Sequence, residues 1–332
     1  MAVRIGINGF GRIGRYITRQ LAGNQDLKVV AINARADNET LAHLLKYDSV
    51  HGIYSGHVQA NENGILVDKE QIQVTKAQAG EWQWGELGAD IVLETTGKFR
   101  DKSSGEQHLQ CGAKKVLISA PGKGTDLTVV MGVNDHQIQK EHSIISNASC
   151  TTNCMAPPIQ VIHDEFGVKQ GNMSTVHSYT MNQRILDGSH KDLRRARAAA
   201  MSIIPTTTGA AKAVEEVIPG LKGKLDGMAI RVPTPNVSLV DLNLNVQKST
   251  SESEINAALK QASEGKLKDI LGYSEEPLVS VDYIGNQYGG VVDSLTTTVT
   301  NGNLVKLIVW YDNEAGFAHQ LLRLAHKVSE LI

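Results

Sequence analysis

Gly6-Ile7-Asn8-Gly9-Phe10-Gly11-Arg12-Ile13-Gly14 continues an apolar run that begins at Val3 and leads into a segment, 12–22, with apolar residues at helical spacing. The glycines at 9, 11 and 14 fit G-x-G-x-x-G, with a strand before and a helix after, the context that gives this pattern meaning. Gly9 permits a tight turn, Gly11 lets a pyrophosphate approach the backbone, and Gly14 lets helix and strand pack closely. The first N–H groups of the helix offer partial positive charge to phosphates. A ligand-free glycine turn is the competing reading, and the flanking elements weigh against it.

Working outward, Leu27–Asn33 reads as a second strand and 39–45 as a second helix, so the chain opens as a right-handed parallel unit. Residues 58–74 change to short alternating strands around Asn61, Asn63 and Gly64, a hairpin-like insertion. Short apolar runs at 90–94, 115–119 and 143–146 are of the buried-strand type. After Ser149 longer strand patterns dominate, at 172–180, 226–232, 237–246 and 305–310. Helices are predicted to start near Cys150, over 251–262 with a Ser251/Glu254 capping box, and over 315–331. The fold class is α/β: a doubly wound first domain followed by a strand-rich second one.

The acidic residue that usually meets a ribose 2′-hydroxyl stands at the end of the second strand. Ala34 occupies that place here, and Arg35 follows. Without a carboxylate to repel it, a 2′-phosphate is accommodated beside an arginine, which favours NADP. Asp37 taking over the ribose contact, with Arg35 a solvated surface charge, is the alternative.

The chain has 332 residues, 41% hydrophobic and 20% charged, with a net charge of −2. This suits two globular domains and excludes a disordered chain, a coiled coil or a disulfide-stapled miniprotein. No global field draws the chain to nucleic acid or an anionic membrane. No stretch approaches the roughly 18 apolar residues of a membrane span, and no secretory signal pattern opens the sequence. Cys111, Cys150 and Cys154 are too few and too irregularly spaced for a disulfide framework or a metal site. A reducing, cytoplasmic location is expected.

Cys150, at the predicted start of a helix, is the candidate nucleophile, since helix N-termini lower a thiol's pKa. Cys154, one turn on, and Cys111, beside Gly112, read as packing residues. His177 lies inside a strand pattern, where an isolated histidine is usually structural. Anion-binding candidates are the 206–210 run Thr-Thr-Thr-Gly-Ala ahead of a helix, the basic segment 191–197, and Arg231 at a strand end. The basic segment reads equally well as a salt-bridging face.

Taken together, Ile7 through Arg15, the hexapeptide Ser149-Cys150-Thr151-Thr152-Asn153-Cys154, His177-Ser178-Tyr179-Thr180, Arg194-Arg195-Ala196-Arg197 and Trp310-Tyr311-Asp312-Asn313-Glu314 occur in one chain in this order. End to end, the sequence resembles phosphorylating glyceraldehyde-3-phosphate dehydrogenase. The resemblance implies a Rossmann-type dinucleotide-binding domain over 1–149 and 315–332. It implies an α+β catalytic domain with a large mixed sheet over 150–314, and a homotetramer whose core is lined by the loop around 179–201. It also implies oxidation of glyceraldehyde 3-phosphate with inorganic phosphate through a thioester on Cys150, with His177 as base and NAD(P) as hydride acceptor. Asn8, Gly9, Phe10, Gly11, Arg12, Ile13 and Gly14 resemble the pyrophosphate loop, Thr96 and Ser119 the nicotinamide-side wall, and Asn313 the carboxamide partner. Thr180 and Arg231 resemble the site for the substrate's own phosphate. Ser149, Thr151, Thr208 and Gly209, with Arg195, resemble the site for the attacking phosphate.

Departures from the family pattern point towards its NADP-accepting members. Ala34 stands where NAD-specific members carry Asp, and Gly188-Ser189 stands where they usually read Leu-Pro. In the NADP-using members a serine at the position of Ser189 reaches the 2′-phosphate on a neighbouring subunit. Asn182, Ala315 and Phe317 also differ from common family residues while leaving the proposed chemistry intact. Erythrose-4-phosphate dehydrogenase of the same family is the alternative; its members usually lack the threonine at 180 and the Thr-Thr-Thr-Gly run. A cysteine hydrolase using Cys150 and His177, or a non-catalytic binding or redox-sensing role, are further alternatives. The glycine fingerprint argues against the hydrolase, and the charge balance gives no basic footprint for nucleic acid.

Overall fold

The computed structural model of the chain describes residues 2–332. It divides into two compact units, one of residues up to Val129 with Asp135–Ala148 and Leu321–Ile332, the other of Val130–Asn134 and Ser149–Gln320. Residues 130–134, 149 and 315–320, assigned above to the dinucleotide-binding domain, group with the second unit.

The first unit runs β1 (Val3–Asn8), α1 (Arg12–Leu21), β2 (Leu27–Asn33), α2 (Asn38–Lys46), β3 (Val58–Asn61), β4 (Gly64–Val67), β5 (Glu70–Thr75), β6 (Ile91–Glu94), α3 (Lys102–Gln110), β7 (Lys115–Ile118), β8 (Leu127–Thr128) and β9 (Ile144–Ser146). Its sheet has the order β3-β4-β5-β2-β1-β6-β7-β9-β8. Strands β2, β1, β6, β7 and β9 are parallel, whereas β3, β4 and β5 form the antiparallel insertion predicted over 58–74. Every residue of β6 and β7 is buried, as befits strands covered on both faces. Trp82, Trp84, Val92, Val116 and Ile118 anchor one core of this unit. The chain passes from β1 to β2 on one side and returns to β6 on the other. That reversal opens a crevice at the carboxyl ends of the strands.

The second unit contains α4 (Cys150–Phe166), β10 (Val168–Ser178), β11 (Ile204–Thr207), α5 (Ala210–Val217), β12 (Leu225–Val232), β13 (Ser238–Val246), α6 (Glu252–Glu264), β14 (Leu271–Ser274), β15 (Gly290–Thr300) and β16 (Leu304–Tyr311), followed by α7 (Ala315–Ser329), which runs on into the first unit. Its mixed sheet is ordered β11-β12-β10-β13-β16-β15-β14. β10 pairs parallel with β12 and antiparallel with β13. β13 alternates buried and half-buried residues along its length, the mark of a sheet with one covered face. The Ser251/Glu254 capping box forms as predicted. Strands β11, β14 and β15 have no counterpart in the sequence reading. β15 is threonine-rich and its pairing shifts between Asp293 and Thr298, which breaks the alternation that marks a strand.

Candidate active site

In the first unit a cavity of about 800 Å³ opens beside the glycine turn. Asn8, Gly9, Phe10, Gly11, Arg35 and Thr96 line it. Gly9 has φ +94°, and a Cβ there would lie 2.7 Å from Thr96 Cγ2 and 2.9 Å from its backbone nitrogen. Only glycine meets both conditions. A Cβ on Gly11 would meet open space, and α1 starts without a side-chain cap, the kind of helix N-terminus that suits an anion. Gly14 is a packing position, since a Cβ would lie 2.5 Å from the Gly9 carbonyl oxygen. These features fit a bound pyrophosphate. Arg12, Ile13 and Gly14 are not part of the lining; Arg12 holds Asp48 through both terminal nitrogens, at 2.5 and 2.9 Å.

No Asp or Glu lines this cavity, while Arg35, Lys76 and Lys98 do. Asp37 is committed elsewhere: its carboxylate caps α2, accepting from the Thr40 N–H at 2.7 Å and the Thr40 hydroxyl at 3.0 Å. Lys76 and Lys98 escaped the sequence reading because neither belongs to a motif. Ser119 donates its hydroxyl to the Glu94 carbonyl at 2.9 Å.

The second unit holds the thiol. Ser149 caps α4, accepting from the Thr152 N–H at 3.0 Å, and Cys150 is the first helical residue. Its Sγ lies 3.5 Å from His177 Nε2. The parallel register of β10 and β12 sets His177 opposite Arg231. Nδ1 of His177 is 2.6 Å from the Ser178 carbonyl oxygen and 2.7 Å from Arg231 Nη1. A ring nitrogen cannot donate to the first and accept from the second at once. With Nδ1 donating, Nε2 accepts from the thiol; with Nδ1 accepting, Nε2–H donates to a thiolate. Either way Nε2 serves the sulfur.

Burial sets the electrostatics. It drives the His177 pKa down to about 3, with help from the Arg231 charge, so the ring is a neutral base near pH 7. Burial also pushes the Cys150 thiol up from its ordinary value, against the pull of Arg231 and of its bonds to Thr151. The sequence expectation of a lowered thiol pKa is thereby corrected: desolvation outweighs the helix N-terminus. Cys154 is fully buried, donates weakly to the Val309 carbonyl, and is held well above an ordinary thiol, the state of an inert packing cysteine.

A buried hydroxyl chain lies beside the pair, and the other expected residues make bonds of their own. Thr151 meets the hydroxyl of buried Tyr311 at 3.0 Å, and Tyr311 meets Thr175 at 2.9 Å. The Tyr311 ring stands edge-on to His177, 5.8 Å between centroids. Tyr311 was in a quoted motif, yet its position against His177 is a tertiary fact with no local signal. Arg195 donates to Thr206 Oγ1 at 2.9 Å and to the Thr207 carbonyl at 3.1 Å, while Thr208 Oγ1 accepts from Ala210 N at the start of α5. Thr180 donates its N–H to Gln183 Oε1 at 3.3 Å. Asn313 Oδ1 accepts from Ser238 at 3.0 Å. Ser189 is exposed, its carbonyl taking two bonds from Arg184, and Arg197 pairs with Asp187 at the surface. Among the described residues no cluster of His, Cys, Asp or Glu is arranged to hold a metal, and no helix is long and apolar enough to cross a membrane.

Two family models match the chain: the glyceraldehyde 3-phosphate dehydrogenase NAD binding domain over residues 3–102 and the C-terminal domain of the same family over 149–313. The glyceraldehyde-3-phosphate dehydrogenase of Geobacillus stearothermophilus is 58% identical over 98% of both chains. That of Thermotoga maritima is 55% identical over 96% of this chain and 97% of its own. Glyceraldehyde-3-phosphate dehydrogenase 1 of Bacillus subtilis is 53% identical over 99% of both.

Proposed function

Because the chain belongs to the glyceraldehyde-3-phosphate dehydrogenase family, we propose that it oxidises glyceraldehyde 3-phosphate with inorganic phosphate to 1,3-bisphosphoglycerate, reversibly and with NADP preferred over NAD. The first unit binds the dinucleotide and the second the triose and phosphate. The observation that carries the reaction is the Cys150–His177 contact, a nucleophile and a neutral base in reach of one another.

Cys150 Sγ adds to the aldehyde carbon as His177 Nε2 takes the thiol proton and passes it to the former carbonyl oxygen, giving a hemithioacetal and leaving His177 neutral again. The nicotinamide, when bound, supplies the hydride acceptor. His177 takes up the hydroxyl proton that must leave as the carbon is oxidised, and Cys150 is left carrying a thioester. Inorganic phosphate attacks the thioester carbonyl, the carbon–sulfur bond breaks, and the acyl phosphate departs. Arg231 and Thr180 hold the substrate's phosphate; Ser149, Thr151, Thr208, Gly209 and Arg195 hold the attacking one. A substrate dianion placed on Arg231 offsets the cationic charge that, with burial, keeps His177 from accepting protons. Asn313 fixes the carboxamide, and Ser119 and Thr96 line the nicotinamide side.

The NADP preference is supported by a cavity that carries Arg35 and Lys76 and no carboxylate, with Asp37 occupied as a helix cap. Ser189 adds a hydroxyl from a neighbouring subunit. Self-association is supported by Met181, Ile185, Leu193, Met201 and Ile203, each 70–90% exposed on one stretch of chain, more apolar surface than a monomer usually leaves open. Steady-state kinetics with both dinucleotides, and with erythrose 4-phosphate beside glyceraldehyde 3-phosphate, test the proposal. NADP efficiency should exceed that of NAD, and Arg35→Asp should reverse the order, by about tenfold or more. A wild-type preference for NAD of that size, or faster turnover of the tetrose, overturns it.

A further inference from the structure

Behind the dinucleotide cavity lies a buried polar cluster that the reaction does not use directly. Glu94, 1% exposed at the end of β6, accepts from Asn8 Nδ2 at 2.5 Å and from the Thr96 N–H at 2.8 Å, and the Thr96 hydroxyl also donates to it. Asn8 and Thr96 both line the cavity. Oε2, the oxygen that Asn8 bonds, also lies 3.3 Å from Nε2 of His108, a fully buried residue of α3, in a contact that is not aligned as a hydrogen bond. The indole N–H of Trp84 donates to His108 Nδ1 at 3.0 Å.

That last bond settles the tautomer. An indole N–H can only donate, so Nδ1 is an acceptor and the neutral ring carries its proton on Nε2, the nitrogen that faces Glu94. The ring is also stacked on Trp82, 3.8 Å between centroids and 16° from parallel, and Trp82 is itself a cavity wall. His108 thus contacts one wall directly and two floor residues through a single carboxylate, without lining the cavity.

On the reading that this cavity takes a nicotinamide dinucleotide, we propose that His108 is its positioning residue. Its Nε2–H, a buried group with no hydrogen-bond partner of its own, lies 3.3 Å from Glu94 Oε2 and attracts the carboxylate that Asn8 and Thr96 bond, and its ring holds Trp82 in place. Dinucleotide affinity therefore depends on a side chain that no dinucleotide touches.

Two near-isosteres separate this role from simple core packing. His108→Gln sets an amide nitrogen near the place of Nε2 and keeps an N–H donor beside Glu94. His108→Asn sets an amide oxygen near the place of Nδ1, keeping the acceptor for Trp84 and losing that donor. Both remove the ring, so both lower the urea midpoint. The dissociation constant and KM for NADP should rise about tenfold in His108→Asn and about threefold or less in His108→Gln. In both, kcat and the rate of Cys150 alkylation by iodoacetamide should stay within about twofold of wild type. Equal losses of affinity in the two variants, or none in either, overturn the proposal. Should neither variant fold, Trp84→Phe frees Nδ1 and the tautomer with it, and an unchanged KM for NADP then overturns the proposal. Wild-type protein that binds neither NADP nor NAD defeats the dinucleotide reading and this inference together, whereas normal wild-type binding with indifferent variants defeats this inference alone.

Discussion

The dinucleotide cavity and the thiol centre solve different problems with different materials. The cavity is made of backbone: a left-handed glycine, a helix start without a side-chain cap, and strand ends where the sheet reverses. Its side chains tune preference. The thiol centre is made of side chains drawn from α4, β10, β12 and β16, and its properties come from what burial does to them. A backbone site tolerates exchange of most side chains and fails at a few glycines. A side-chain site fails wherever one partner is removed.

The sharpest way to break this comparison is at the sulfur. Cys150→Ser should lower kcat by a thousandfold or more, at least about 4 kcal/mol of transition-state stabilisation, while NADP affinity holds. Cys154→Ser, four residues on, should keep most activity, because that thiol packs against β16 and faces no base. Parallel losses in the two serine variants would show the centre to be less local than its geometry implies.

At the cavity the equivalent lesion is Gly9→Ala. A methyl group forced against Thr96 at φ +94° should raise KM for NADP about tenfold or more and cost about 1–3 kcal/mol of stability. Iodoacetamide should still alkylate Cys150 at the wild-type rate. An alanine variant with unaltered KM would mean that the turn does not hold the ligand.

The smallest effect lies in acid. His177 has a folded-state pKa of about 3 against an ordinary 6.5, so the unfolded chain binds the proton more readily. The stability associated with its neutral form is complete above about pH 6.5 and is lost as pH falls from there towards 3. Between pH 6.5 and 5.5 the loss should be about 1 kcal/mol. Urea midpoints followed across that range should fall more steeply for wild type than for His177→Asn; equal slopes would place the acid sensitivity in other groups.

How much of each region was legible follows from the same contrast. The glycine turn could be read because its three glycines, its strand and its helix are contiguous in sequence. Cys150 was visible because a helix start lies beside it. Lys76 and Lys98 were invisible as cavity residues, since a lysine in a loop carries no local sign of what it faces. Glu94 ends a strand among apolar residues, and only the fold shows Asn8, Thr96 and His108 converging on it. The thiol pKa was misjudged in direction, because a helix terminus can be read from sequence and burial cannot. β15 was missed because its run of threonines and its shifted register hide the alternation that revealed β13.

The hydroxyl chain Thr151–Tyr311–Thr175 has a consequence for how the protein is made. Thr151 and Tyr311 are 160 residues apart. A ribosome releases Cys150 and His177 close together, 27 residues apart, long before it releases Arg231 or the last central strand. Until that strand is made, the hydroxyl chain beside Thr151 lacks its middle member. The complete hydroxyl chain therefore arrives only with the end of synthesis.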